Sequence, residues 1–191
     1  MMHRTPLNSL EITDLADVAR ALAQGAKGKS GRERTQIFDQ LGTYTRQLIP
    51  YAEQSTAATS SLQVSGEAFL TLGEGNYARQ AVDALTATLK NPELPVVHIV
   101  QTAQHILNGI KELDPKATPP DSNEAKTERL LNSDSLFTVQ DALERAKTYH
   151  LNEPEAQTIA TLLDKADQVL AGYNFPVRRL PRSTPSVPKQ S

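Results

Sequence analysis

The residues best suited to chemistry in this sequence form a short basic loop. The string from Ala23 to Ser30 fits a relaxed phosphate-binding loop, with Ala23 in place of the first glycine. In such a loop the backbone N–H groups surround the phosphates, Lys29 would contact the outer phosphates, and Ser30 would hold Mg²⁺. Alternatively, the loop could receive a simple anion near a helix N-terminus. The candidate residues for this are Lys27, Lys29, Ser30, Arg32 and Arg34.

The residues before this loop argue against nucleotide chemistry. A nucleotide-binding loop needs a buried β-strand before it and a parallel sheet beneath it. The apolar residues from Leu15 to Leu22 instead repeat at helical intervals, and Gly25 is a plausible helix stop. We therefore expect a turn between two helices. Phosphate or nucleotide binding by the Gly25–Ser30 loop stays an alternative function.

A second set of candidate residues consists of uncharged polar side chains on one predicted helix. His98, Gln101, His105 and Asn108 share a face of the helix expected over about 92–113. His98 and His105 are seven residues apart, or about 10 Å along the axis, so they cannot share one metal ion directly. We interpret this face as a partner-contacting surface, with an ordinary solvated face as the alternative.

The sequence gives little support for other kinds of chemistry. Carboxylates recur in pairs such as Asp14 with Asp17, but these occupy polar helical positions where a solvated face is the simplest interpretation. The chain has no cysteine, which excludes thiolate nucleophiles, disulfides and cysteine-ligated metals. We also find neither a Gly-x-Ser-x-Gly elbow nor a His-Glu-x-x-His motif. The sequence thus favours a non-enzymatic protein and predicts no cofactor.

Helical periodicity predicts the elements that position these residues. Asn8 with Glu11 has capping-box spacing, Asn76 is a candidate cap, and Pro154 suits a first helical turn. Strand signals are nearly absent. We predict helices over about 9–24, 32–49, 77–90, 92–113, 138–150 and 153–172, with weaker signals at 52–65 and 124–131. The expected fold is all-α: a single-domain helical bundle or array of about six to seven helices, ending in an αα-hairpin.

Proline and glycine divide the chain into four predicted segments. These are an N-terminal helical bundle over 1–113, a Pro-rich linker over 114–123, a C-terminal hairpin packing on the bundle over 124–175, and a disordered basic tail over 176–191. The tail contains an Arg-x-x-Pro-x-x-Pro pattern of the kind that aromatic grooves bind. Its candidate partner-binding residues are Arg178, Arg179, Arg182, Pro185 and Pro188.

Charge and hydropathy limit the possible partners. The net charge is −2, and subtracting the four basic residues of the tail leaves 16 basic against 22 acidic residues, or −6. An acidic body disfavours duplex binding, so weak nucleic-acid binding through loop and tail is a minor alternative.

We find neither a signal peptide nor an apolar run long enough for a membrane span. We therefore expect a cytoplasmic protein, with signal-independent export as the alternative. The leading hypothesis is a protein–protein interaction, scaffolding or adaptor module of undetermined oligomeric state.

Overall fold

The all-α prediction is confirmed by a computed structural model that describes residues 6–113 and 122–173. These residues form seven α-helices and no β-strand. Two single-turn 3₁₀ helices, Ala26–Gly28 and Ile49–Tyr51, follow the first and second helices. The α-helices are α1 (Ser9–Gly25), α2 (Gly31–Leu48), α3 (Thr56–Leu72), α4 (Ala78–Leu89), α5 (Val96–Leu113), α6 (Asn123–Ala146) and α7 (Glu153–Gly172).

Local capping fixes where several helices begin. Asn8 and Glu11 form the predicted capping box of α1, in which each side chain accepts a hydrogen bond from the other residue's backbone N–H. Asn152 forms a second capping box at the start of α7, where Pro154 occupies the first turn. The predicted cap at Asn76 is wrong, because Tyr77 is the N-cap of α4.

The sequence also divides one helix that the structure shows as continuous. The predicted separate helices near 124–131 and 138–150 are a single helix, α6. Polar residues interrupt its apolar pattern, but Asn132 accepts a hydrogen bond from Arg79 and Ser133 donates to the Arg129 carbonyl. Because these polar groups have hydrogen-bond partners, they are buried inside the fold, and the helix continues through them.

The helices form a two-layer array. Their principal contacts join helices that are one or two positions apart in the chain. Helices α1, α3, α5 and α7 therefore form one layer, which we call the odd layer, and α2, α4 and α6 form the other.

Helix α4 joins the two parts of the hydrophobic core. Ala81, Ala84 and Ala87 pack in a cluster with α1, α2 and α3, whereas Val82 and Leu89 pack in a cluster with α5, α6 and α7. Small residues let neighbouring helices approach closely. Within the described ranges, no helix has the length and apolarity needed to cross a membrane.

Candidate partner-binding surface

Helix α5 presents an exposed stripe along the outside of the odd layer. Val97, Gln101, Gln104 and Asn108 follow one another at intervals of four, three and four residues, which places them on one helical face. Gln101 and Asn108 are exposed, Gln104 is half-buried, and Val97 retains 58% of its accessible surface. This stripe contains two of the predicted polar residues and carries no charge.

The two predicted histidines lie at the edge of this stripe, against α3. The Gln63 side-chain amide is 3.1 Å from His98 Nδ1, within hydrogen-bond distance. His105 Nδ1 is 3.7 Å from Glu67 Oε1. Both histidines are half-buried, so they are not part of a purely solvated face. They define the border between α3 and α5.

On its other side the stripe borders a groove between α5 and α7. The groove has a volume of about 360 Å³. The hydroxyls of Thr158 and Thr161 donate to carbonyls of their own helix, which leaves their oxygen lone pairs as acceptors. The residues that line the groove are Gln104, Pro154, Gln157, Thr158, Thr161, Leu162 and Lys165. Lys165 is the one charged residue among them.

We call the exposed stripe and this groove together the α5–α7 surface. The sequence predicts the α5 side of this surface through Gln101 and Asn108, but it does not predict Val97, Gln104 or any residue of α7. Periodicity shows which side chains share a face of one helix. It does not show which second helix lies beside that face, so no local signal could have found the groove.

The basic loop lies at the start of α2, and its cations have different surroundings. Arg34 Nε donates a 2.7 Å hydrogen bond to the Lys29 carbonyl, and Arg34 Nη1 donates to the Leu72 carbonyl. Lys29 Nζ is 3.4 Å from Glu33 Oε1. Lys27 and Arg32 are exposed, and Ser30 is an N-cap whose side chain makes no capping hydrogen bond. The loop follows a helix, so it lacks the strand that a nucleotide-binding loop requires.

The strongest electrostatic cluster elsewhere is structural. Arg79 on α4 forms an ion pair with Glu128 and donates a hydrogen bond to Asn132 Oδ1. The Asn132 side-chain amide in turn donates to the Tyr173 hydroxyl. Burial raises the pKa of the nearby Asp83 carboxyl, and the attraction of Arg79 opposes this shift. Across the described part of the chain, no three His, Cys, Asp or Glu side chains are grouped to hold a metal ion.

The remaining candidate residues belong to the tail. Arg178, Arg179, Arg182, Pro185 and Pro188 lie outside the described residues. Comparison with protein-family models, curated proteins and solved structures finds no match for this chain.

Proposed function

We propose that this protein is a non-enzymatic interaction module that binds another protein through the α5–α7 surface. The observation that carries the proposal is the exposed stripe of α5, which is uncharged and runs beside an open groove. The cores of protein interfaces are depleted of charged residues, because burying an unpaired charge costs free energy. On a chain whose composition is 22% charged, this uncharged stripe is suited to desolvation.

A protein partner fits the groove better than a small molecule does. Ligand pockets are usually concave and mostly apolar, and they enclose most of the ligand. This groove is open and lined mainly by amides, hydroxyls and one lysine. A standard interface covers about 800 Å² on each partner, so a bound protein would extend from the groove along the α5 stripe and cover Val97.

Site-specific photo-crosslinking in the source cells would test this proposal. A photoreactive residue at Gln101 should join the chain to a discrete partner, whereas one at Thr127, exposed on α6, should not. Adding Gln104→Glu and Gln157→Glu should reduce the yield by about tenfold, because two buried charges oppose binding. Equal crosslinking at both positions, or a yield unaffected by these charges, would contradict the proposal.

Anion binding at the Gly25–Ser30 loop is a second proposal. It is supported by the exposure of Lys27 and Arg32 beside the start of α2, where the Ser30 side chain leaves the first N–H groups uncapped. Weak nucleic-acid binding would also need the tail, which supplies four further cations. The cytoplasmic location expected from the sequence stays a proposal.

A further inference from the structure

The order of the array leaves one side of α6 open within the described residues. From α3 onward, every helix packs on the helix two positions before it: α3 on α1, α4 on α2, and so on to α7 on α5. A further helix in this order would pack on the side of α6 that is turned away from α4. The terminal helices of an array need a polar outer face in water, so apolar residues on this side of α6 indicate a contact.

Two large apolar side chains lie on this open side. Glu128 contacts Arg79 of α4, and Phe137 is nine residues beyond Glu128, or about two and a half turns of helix. Phe137 therefore lies on the side of α6 opposite α4. Leu130, seven residues before Phe137, is about 20° from it around the helix. Leu130 is 54% exposed, and Phe137 is half-buried.

Opposite charges lie at the two ends of this apolar pair. Lys126 and Glu144 are eighteen residues apart, so they share one angle around α6 and are separated by about 27 Å along its axis. Both are exposed. Glu144 pairs with Lys147 at 2.8 Å, but that pair is about half exposed and leaves the carboxylate able to accept from a second cation. We call Lys126, Leu130, Phe137 and Glu144 the end stripe.

We propose that the end stripe binds the end stripe of a second, antiparallel copy of this chain, which joins two arrays about a two-fold axis. The end stripe is positive at one end and negative at the other. An antiparallel copy therefore places Lys126 of each chain opposite Glu144 of the other. In this register Leu130 of each copy lies within one turn of Phe137 of the other. A parallel copy would bring like charges together instead.

The contact between end stripes is separate from the α5–α7 surface, and the proposal does not depend on the function proposed for that surface. Thr127 and Asp134 lie about 80° and 60° around α6 from Phe137, so they are outside the end stripe. A contact of one helix on another is smaller than a standard protein interface, so we expect a weak dimer whose population rises with concentration.

Sedimentation of the full chain over a range of concentrations would test this proposal. The parent protein should show a monomer–dimer equilibrium. Leu130→Asp should raise the dimer Kd at least about tenfold, because it places an unpaired charge at the apolar centre of the contact. Leu131→Asp is the matched control: Leu131 is also exposed (42%) but lies about 100° around α6 from Leu130, so the Kd should not change.

Charge reversal tests the antiparallel register. Lys126→Glu makes both ends of the end stripe negative, and Glu144→Lys makes both ends positive. Each variant alone should dimerise about fivefold more weakly, because two attractive charge pairs become repulsive. An equimolar mixture of the two variants should associate about as tightly as the parent, since opposite charges again face each other at both ends. Circular dichroism would confirm that each variant keeps its helices.

Thiol labelling of a Leu130→Cys variant identifies what covers the end stripe, because the chain has no cysteine of its own. Labelling should slow as protein concentration rises, whereas labelling of Leu131→Cys should not. Protection of Leu130→Cys that is equal at every concentration would assign the cover to the same chain and overturn the proposal. A protein that stays monomeric, equal weakening by Leu130→Asp and Leu131→Asp, or a mixture that binds no better than either charge variant would also overturn it.

Discussion

Arg34 Nη1 donates a 3.1 Å hydrogen bond to the backbone carbonyl of Leu72, which joins the first turns of α2 to the last residue of α3. The same guanidinium donates through Nε to the Lys29 carbonyl, so this candidate anion-binding residue also has a structural role. Helix C-termini leave carbonyls without partners in the helix, and a side-chain cation is one way to satisfy them.

Replacing Arg34 should therefore destabilise the protein more than replacing Arg32, which also lies in the first turn of α2. We expect Arg34→Ala to lower the free energy of unfolding by about 1–3 kcal/mol, because it removes charge-assisted hydrogen bonds to two carbonyls. Arg32→Ala, at an exposed position, should change it by no more than about 0.5 kcal/mol. Urea unfolding would measure both values. Equal effects would show that Arg34 contributes no more to stability than an exposed residue.

The close contact between α3 and α4 predicts a strong effect at Gly66. A Cβ atom there would lie 2.5 Å from Leu85 Cγ, so Gly66→Ala would require the Leu85 side chain to move within the core. We expect a loss of about 1–3 kcal/mol of stability by overpacking. Gly25→Ala is the control, because its Cβ would meet no atom within 4 Å and alanine favours helix. A neutral Gly66→Ala would contradict the tight contact.

The difference in stability between the Asp83→Asn variant and the parent protein should depend on pH. Burial raises the pKa of Asp83 in the folded state above its unfolded value of 3.8. The contribution of Asp83 to the stability of the parent protein should therefore fall as pH rises from about 3.8 through the folded-state pKa, because folding favours the protonated carboxyl.

Asp83→Asn should consequently be slightly more stable than the parent at pH 7, and this advantage should disappear at pH 3. The side chain is 48% exposed and pairs with Arg79, so solvent screening keeps the effect small. Asp134→Asn, at an exposed position on α6, controls for general charge effects. Thermal unfolding at both pH values would measure the difference. A less stable Asp83→Asn variant at pH 7 would show that the ion pair outweighs burial.

Anion binding by the basic loop can be tested by thermal shift. With ATP, GTP or inorganic phosphate at a hundred times Kd, a specific site should stabilise the protein by about 2.7 kcal/mol. Lys29→Ala should remove that shift, whereas Lys90→Ala, an exposed lysine beyond α4, should preserve it. If no anion raises the melting temperature, the loop is only a turn between α1 and α2.

The sequence by itself determined the class of fold and several helix ends. Asn8 and Asn152 cap their helices through partners three residues away, and apolar spacing marked most of the helices. These features depend on hydrogen bonds and contacts within one or two turns, so neighbouring residues suffice to predict them.

Only the tertiary structure decided how the helices meet. The two predicted pieces of α6 form one helix because Asn132 accepts a hydrogen bond from Arg79. Arg34 donates to the Leu72 carbonyl, 38 residues away. Helix α7 lies beside the exposed stripe of α5. A side chain's burial and partners depend on which distant helix packs against it. That choice depends on the shape and volume of whole faces, which local spacing does not encode.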